Sequence, residues 1–219
     1  MSSLSFLAPD AGSDRVSARS PMERRARAAG GRFENRDGWS VATAYAAPEV
    51  ERSRLTESVA FADCSAIRKL ELHGEALGSL GLKLGVAEQR EGAWWCPVTP
   101  ARVLVLGGGP AAPELPDGVS VVDVTCGLAA LAMVGPGARE LLARFCAIDV
   151  RPAVSPVASF RPGSVARTPG YLLVEAEDRL LVLVGWALGE YLWDVVADAA
   201  DHLGGGPVGA DAIREPQHA

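Results

Sequence analysis

Apolar and polar positions alternate along this chain in short runs, and one of those runs occurs twice. Val59-Ala60-Phe61-Ala62-Asp63-Cys64-Ser65 is matched in kind 60 positions later by Val119-Ser120-Val121-Val122-Asp123-Val124-Thr125. Each copy is an apolar strand that ends in Asp, one spacer and a small hydroxyl residue. A second strand follows each: Lys69-Leu70-Glu71-Leu72-His73 in one copy, Ala130-Leu131-Ala132-Met133-Val134 in the other. Gly74 and Gly135 close these strands, and a helix is predicted after each glycine, at Glu75-Ala76-Leu77 and Pro136–Leu142. In the first copy the second strand alternates, with Leu70 and Leu72 opposite Lys69, Glu71 and His73, as a half-buried strand should. Two copies are too few for a solenoid. They predict a duplicated α+β unit with a pseudo-twofold axis, and a cleft on that axis is a natural ligand site.

The rest of the pattern fills in around the repeat. Ser20-Pro21-Met22-Glu23 predicts a capped helix start, running to Gly30-Gly31. Short extended pieces flank the Asp37-Gly38 turn, and Pro48 opens a second helix with Val50, Arg54 and Leu55 on one face. Trp94–Val98 with Arg102–Leu106, and Tyr171–Glu175 with Leu180–Val184, read as hairpins. A last amphipathic helix spans 188–203, with Leu192, Val195, Val196 and Ala199 inward. The predicted organisation is a disordered arm over 1–18, a domain over 19–203 in two halves (19–107 and 119–203) joined by a Gly/Pro connection, and a flexible tail over 204–219.

Composition narrows the function classes. The chain has 219 residues, 48% of them apolar, which is enough for a sizeable core. A formal net charge of −6 argues against nucleic acid as a partner. Nineteen arginines stand against two lysines, a bias of composition and not a binding signal. Neither a secretory leader nor a membrane span is expected, because the longest apolar stretch, Leu180–Leu188, is about half of what a span requires. A cytoplasmic location and four buried thiols (Cys64, Cys96, Cys126, Cys146) follow. No histidine has ligand spacing, so no metal is expected. Gly107-Gly108-Gly109 lacks the Lys-Ser/Thr of a phosphate loop, and no Gly-x-Ser-x-Gly turn offers a nucleophile. Asp63 and Asp123 are placed to cap their own turns, since a duplicated turn needs its cap twice. Trp39, Tyr45, Trp94, Trp95, Tyr171, Trp186, Tyr191 and Trp193 could supply a stacking wall for a flat heterocycle, with Trp193 assigned to packing by its place on the core face of its helix.

Ser20-Pro21-Met22-Glu23, Gly30-Gly31, Gly38-Trp39, Tyr45, Val59–Ser65 and Lys69–Gly74, in that order, resemble the opening of the glycine-cleavage T-protein, the tetrahydrofolate-dependent aminomethyltransferase. Val121–Thr125, Gly135–Leu142, Asp149, Arg167-Thr168 and Tyr191-Leu192-Trp193 look more like the gamma subunit of heterotetrameric sarcosine oxidase, a shortened relative of the same folate-binding domain. The likeness covers about residues 20–203. It implies the duplicated, pseudo-twofold α+β fold of that domain, and a ligand site drawn from Trp39, Tyr45, Asp63, Trp95, Arg167, Tyr171 and Glu175. Two departures stand out. Where T-proteins carry Asn-Ala-Ser-Gly-Gly and then Asp-Asp, this chain has Ala93–Val98 without a carboxylate. Where they carry Gly-Tyr-Thr-Gly-Glu, it has Gly170-Tyr171-Leu172-Leu173-Val174, with Glu175 one place further on. No counterpart of the C-terminal barrel domain of the full enzyme is expected within these residues.

The resemblance therefore implies a component of a tetrahydrofolate-linked amine oxidation or one-carbon system, in which tetrahydrofolate is the implied cofactor and the departures predict weak binding. Its implied partners are oxidase subunits or a second copy, with Trp94, Trp95 and Trp186 as interface anchors. Two other readings share the same residues. One is an independent small enzyme that reuses the cleft for another small molecule, and the other is a purely structural interaction subunit.

Overall fold

The computed structural model describes residues 17–109 and 114–214. The first 16 residues of the predicted arm and the last five of the predicted tail lie outside them. In chain order the elements are β1 (Ala18–Arg19), α1 (Glu23–Ala28), β2 (Arg32–Arg36), β3 (Trp39–Ala44), α2 (Pro48–Glu57), β4 (Ala60–Asp63) and β5 (Lys69–His73). They continue with β6 (Glu88–Arg90), β7 (Ala93–Thr99), β8 (Arg102–Gly107), β9 (Ser120–Asp123), β10 (Leu128–Val134), α3 (Ala138–Ala143) and β11 (Phe160–Val165). Last come β12 (Thr168–Ala176), β13 (Arg179–Gly185), α4 (Gly189–Asp201), β14 (Gly206–Pro207) and α5 (Ala210–Arg214). The helix predicted after Gly74 is a 3-10 segment, Glu75–Leu80.

Two sheets carry the fold, and the repeat sets their order. One runs β6-β7-β8-β5-β9 and the other β11-β12-β13-β10-β4-β14. Each repeat splits across them: β4 pairs with β10, from the other copy, and β5 with β9. Asp63 lies opposite Leu131, and Asp123 opposite Leu70. The turn hydrogen bonds repeat in the same exchanged way. Cys64 N–H donates to the Ala130 carbonyl (2.9 Å) and Val124 N–H to the Lys69 carbonyl (2.9 Å). Ala130 N–H donates to Ser65 Oγ (3.1 Å), and Lys69 N–H to Thr125 Oγ1 (3.0 Å). Asp63 and Asp123 accept from Ser65 and Thr125 N–H at 2.9 and 2.8 Å, so both aspartates cap their turns. The Gly107–Gly109 loop therefore does not join two self-contained halves; the strands interlock, and neither sheet is complete without both copies.

Gly74 and Gly135 show why the motif keeps its glycine. Both have positive φ, at 151° and 113°. A Cβ would meet the Gly118 carbonyl oxygen at 2.7 Å in one copy and the Ser58 carbonyl oxygen at 3.0 Å in the other. These two carbonyls stand at equivalent places, one residue before Val59 and Val119.

Three apolar clusters follow from strand alternation. Phe61, Leu131, Met133, Leu172, Val174 and Val182 face α1, α3 and α4, where Leu192, Trp193 and Val196 meet them. Ala60, Ala62, Ala130, Ala132, Leu173 and Leu183 face the second sheet and pack on Cys96, Leu104 and Leu106. Leu70, Leu72, Trp95, Val103 and Val105 cover that sheet's outer side with Leu77. The supposedly solvated face of β5 is thus the face between the sheets. Lys69 is fully buried there, with Nζ donating to the carbonyls of Ser65 (2.8 Å), Ile67 (2.9 Å) and Thr125 (3.0 Å).

The segment predicted as a tail is docked structure as far as Arg214. β14 adds in parallel to β4, Val208 is buried, and Gly209 N–H donates to Glu51 Oε2 at 3.1 Å. Its glycine-rich composition suggested looseness, but glycine is what lets the backbone approach: a Cβ on Gly209 would lie 1.8 Å from the Thr43 carbonyl oxygen. On α2, Val50 is exposed, while Leu55 and Glu51 are buried.

Burial lowers the Lys69 ammonium from its usual 10.5 to about 8, against the pull of Asp63. The folded pKa lies below the unfolded one, so the unfolded chain binds more protons between about pH 8 and 10.5. Stability should rise with pH across that window, by about 3 kcal/mol from this group. Denaturant melts of wild type and Lys69→Met should show the rise in the first, beyond whatever slope the second retains. Identical slopes would mean that the ammonium is not desolvated.

Candidate functional site

The seven sequence-derived candidates fall into four places. Trp39, Tyr45 and Asp63 lie on the helix side of the six-stranded sheet. Trp39 meets Trp186 edge-on (6.1 Å between centroids), and Tyr45 and Phe61 pack on Trp193 (6.0 and 5.0 Å). Asp63 shares the Phe61 face, is half-buried, and takes a hydrogen bond from the Ser20 side chain. Burial raises its carboxyl pKa, whereas in the exposed copy the Thr125 side chain and N–H lower that of Asp123. The same turn thus titrates in opposite directions because only one copy is covered. Among the described residues the buried Tyr45 hydroxyl has no hydrogen-bond partner, and burial together with the Asp63 and Glu51 charges raises its pKa.

Tyr171 and Glu175 lie on the opposite face of that sheet, toward the space between the sheets. Tyr171 stacks on Phe160 (5.4 Å), and its hydroxyl accepts from Arg102 Nη2 at 3.3 Å. Arg102 Nε donates to Glu71 Oε1, which also lies 3.0 Å from His73 Nε2. These four side chains make a polar mouth at one end of the inter-sheet space, and sequence reasoning had not grouped them. The visible signal was the alternation of β5, which puts Glu71 and His73 on one face. Chemically the mouth can exchange hydrogen bonds with a polar group, since Glu71 holds His73 through Nε2. Glu175 is 3.9 Å from Arg179, and its charge helps burial and Asp63 push the Cys64 thiol up to about 12.

Trp95 stands apart from both groups. It is 6% exposed, on the outer side of the five-stranded sheet, with Arg90 over its ring at 5.5 Å. It is a core side chain in the single chain, not an open anchor for an interface. Trp95→Ala should cost about 3–5 kcal/mol of stability. Equilibrium denaturation checks this; a loss under about 1 kcal/mol would mean the ring is dispensable to the core. Arg167 is exposed at the tip of the β11–β12 hairpin, with φ of 61°. Of the four free thiols, Cys96 is buried, Cys64 and Cys146 are half-buried and Cys126 is exposed, which corrects the expectation of four buried ones.

Where the duplication predicts a pseudo-axial cleft, apolar side chains of the two sheets pack against each other. The two segments to which the T-protein resemblance assigns folate contacts are β7 and β12, and they occupy equivalent positions in the two sheets. Both turn side chains into the inter-sheet cluster, where Trp94, Cys96, Val98, Tyr171 and Leu173 pack with Phe160 and Leu104. Val174, at the place of the implied glutamate, points the other way, into the helix-side cluster. No carboxylate comes from β7, and apolar side chains fill the space, so these residues do not fit a pterin. An open depression of about 420 Å³ lies elsewhere, beside α2 at Ser53, Arg54, Ser58 and Gly204. Among the described residues, no group of three or more His, Cys, Asp or Glu side chains could hold a metal ion, and no helix is long and apolar enough to cross a membrane.

No protein-family model and no curated protein sequence matches this chain. Solved structures do. A chain of the heterotetrameric sarcosine oxidase of Corynebacterium sp. U-96, solved with pyrrole 2-carboxylate, superposes with a TM-score of 0.60 at 19% identity. The match covers 72% of this chain and 92% of that one. The glycine cleavage system aminomethyltransferase T of Bartonella henselae superposes with a TM-score of 0.71 at 17% identity, over 89% of this chain and 60% of that one. At such identities the likeness is one of fold: this chain has the α+β fold shared by the T-protein and sarcosine oxidase, as the resemblance implied.

Proposed function

We propose that this protein is a sarcosine-oxidase-gamma-like component of a hetero-oligomeric amine oxidation or one-carbon system, contributing binding surface and not a catalytic pocket of its own. The observation that carries this reading is the extent of the two likenesses. The match takes in nearly all of the sarcosine oxidase chain but only 60% of the aminomethyltransferase. The likeness to a chain of a heterotetrameric oxidase, matched over 92% of its length, supports a subunit role. The apolar packing between its sheets is compatible with the same reading.

Native mass spectrometry of the protein, alone and co-expressed with the products of neighbouring genes, tests the proposal. The expected result is a stoichiometric complex with at least one neighbour that carries amine-oxidising activity. A chain that stays alone in every combination, and turns over a substrate unaided, would instead establish the independent-enzyme reading.

A further inference from the structure

Among the described residues, the two sheets follow one plan and one of them is a strand short. Matching the copies at β4 with β9 and β5 with β10 aligns, in strand order, β6-β7-β8-β5-β9 with β11-β12-β13-β10-β4, and the six-stranded sheet then carries one strand more, β14, on the outer edge of β4. There Gly206 N–H donates to the Val59 carbonyl (3.1 Å) and Val208 N–H to the Phe61 carbonyl (2.9 Å), with Pro207 between them. The equivalent acceptors on the other sheet are the carbonyls of Val119 and Val121. Among the described residues β9 pairs only with β5, and all four of its residues are exposed. Val121 and Val122 are 43% and 48% exposed, whereas their counterparts Phe61 and Ala62 are 0% and 1%.

An edge strand of this kind is normally blunted by lysine, proline or a bulge. Strand β9 has none of these, and presents a β-branched residue on each face. From this asymmetry we infer that the free edge of β9 is a docking site for an extended segment of a partner protein, which adds to it in parallel as β14 adds to β4. The segment needs N–H groups two residues apart, directed at the Val119 and Val121 carbonyls, and tolerates proline between them. Small or β-branched side chains suit the exposed valines. The edge is bracketed by the acidic Asp117 and Asp123, so Lys or Arg should flank the segment. Strand addition of this type draws affinity from main-chain hydrogen bonds and specificity from alternate side chains.

The test pans a display library of short random peptides against the full-length protein and maps the selected peptides by amide chemical shifts. The expected peptides place a small or β-branched residue on either side of a tolerated proline, between basic flanks. Their shifts should centre on Val119–Asp123. Removing one of the two donors by N-methylation of the peptide should weaken binding roughly tenfold, the equivalent of about 1.4 kcal/mol. Val121→Pro should do the same with the thermal midpoint unchanged, and the N-methylated peptide decides the matter if that variant fails to fold. Three outcomes overturn the inference: no binder emerges, binders leave β9 unshifted, or sedimentation finds a wild-type dimer that N-terminal pairing of β9 with itself explains and Val121→Pro dissolves. The oxidase reading is independent of this result, since it is decided by whether the chain assembles with an amine-oxidising neighbour and not by peptide binding at β9.

Discussion

Glu51→Ala should destabilise this protein by about 4 kcal/mol, because one buried carboxylate holds three backbone N–H groups from two distant stretches of chain. Oε1 accepts from Tyr45 N–H at 2.5 Å and Ala46 N–H at 3.0 Å, and Oε2 accepts from Gly209 N–H at 3.1 Å. The residue is 4% exposed, so water does not replace the lost acceptor. Hydrogen bonds to charged groups contribute about 1.5–3 kcal/mol each, and an orphaned buried donor costs its desolvation besides. Glu51→Gln keeps the shape and one acceptor oxygen, so its loss should be about half as large. Chemical denaturation of the three proteins checks the order. A Glu51→Ala protein within about 1 kcal/mol of wild type would show that the C-terminal segment is not held this way.

Gly209→Ala should be of similar size, and for a steric reason. The new methyl would lie 1.8 Å from the Thr43 carbonyl oxygen and 2.1 Å from its carbon, both of them backbone atoms of β3 that have no side-chain freedom to yield. The segment would lift away, β14 would leave β4, and the buried Val208 would be exposed. We expect a loss of at least about 3 kcal/mol, with faster amide exchange at Gly206 and Val208, whose N–H groups bond β4. Glu51 and Gly209 hold the same contact, so the double variant should lose clearly less than the sum of the two. Additive losses would mean that they stabilise separate parts of the fold.

Much of this fold was legible because its information is local. The strand-Asp-x-hydroxyl-strand-Gly order is a short pattern whose caps and positive-φ glycine bond within a few residues, and both copies obey it. The two hairpins and the last helix are likewise set by alternation and by apolar spacing. The exchange of strands was not legible, since nothing in Val59–Ser65 says whether its edge meets β5 or β10. Lys69 misled for a related reason. A lysine in an alternating strand reads as solvent-facing, yet that face of β5 meets the second sheet, and three carbonyls from the interlocked turns supply its partners. Glu51 and the segment after Gly204 gave no sign of their role, because a carboxylate on a polar helix and a glycine run read as surface and tail unless the partner 158 positions away is known. The candidate site was read least well. The aromatic and acidic residues were chosen by type, and the fold distributes them to both sides of one sheet, the outside of the other and a hairpin tip.

The account rests on the closure of the space between the two sheets, and calorimetric titration of tetrahydrofolate into the isolated protein tests that most directly. With Trp94, Cys96, Leu104, Phe160 and Leu173 packed where a pterin would need charged partners, each lost contact worth about 1.4 kcal/mol weakens binding tenfold. The predicted result is no saturable heat below about 100 μM ligand, some 6.8 kcal/mol short of nanomolar affinity. Saturable binding below about 1 μM, where the binding free energy exceeds 8 kcal/mol, would contradict it, since such affinity requires an open and matched cleft.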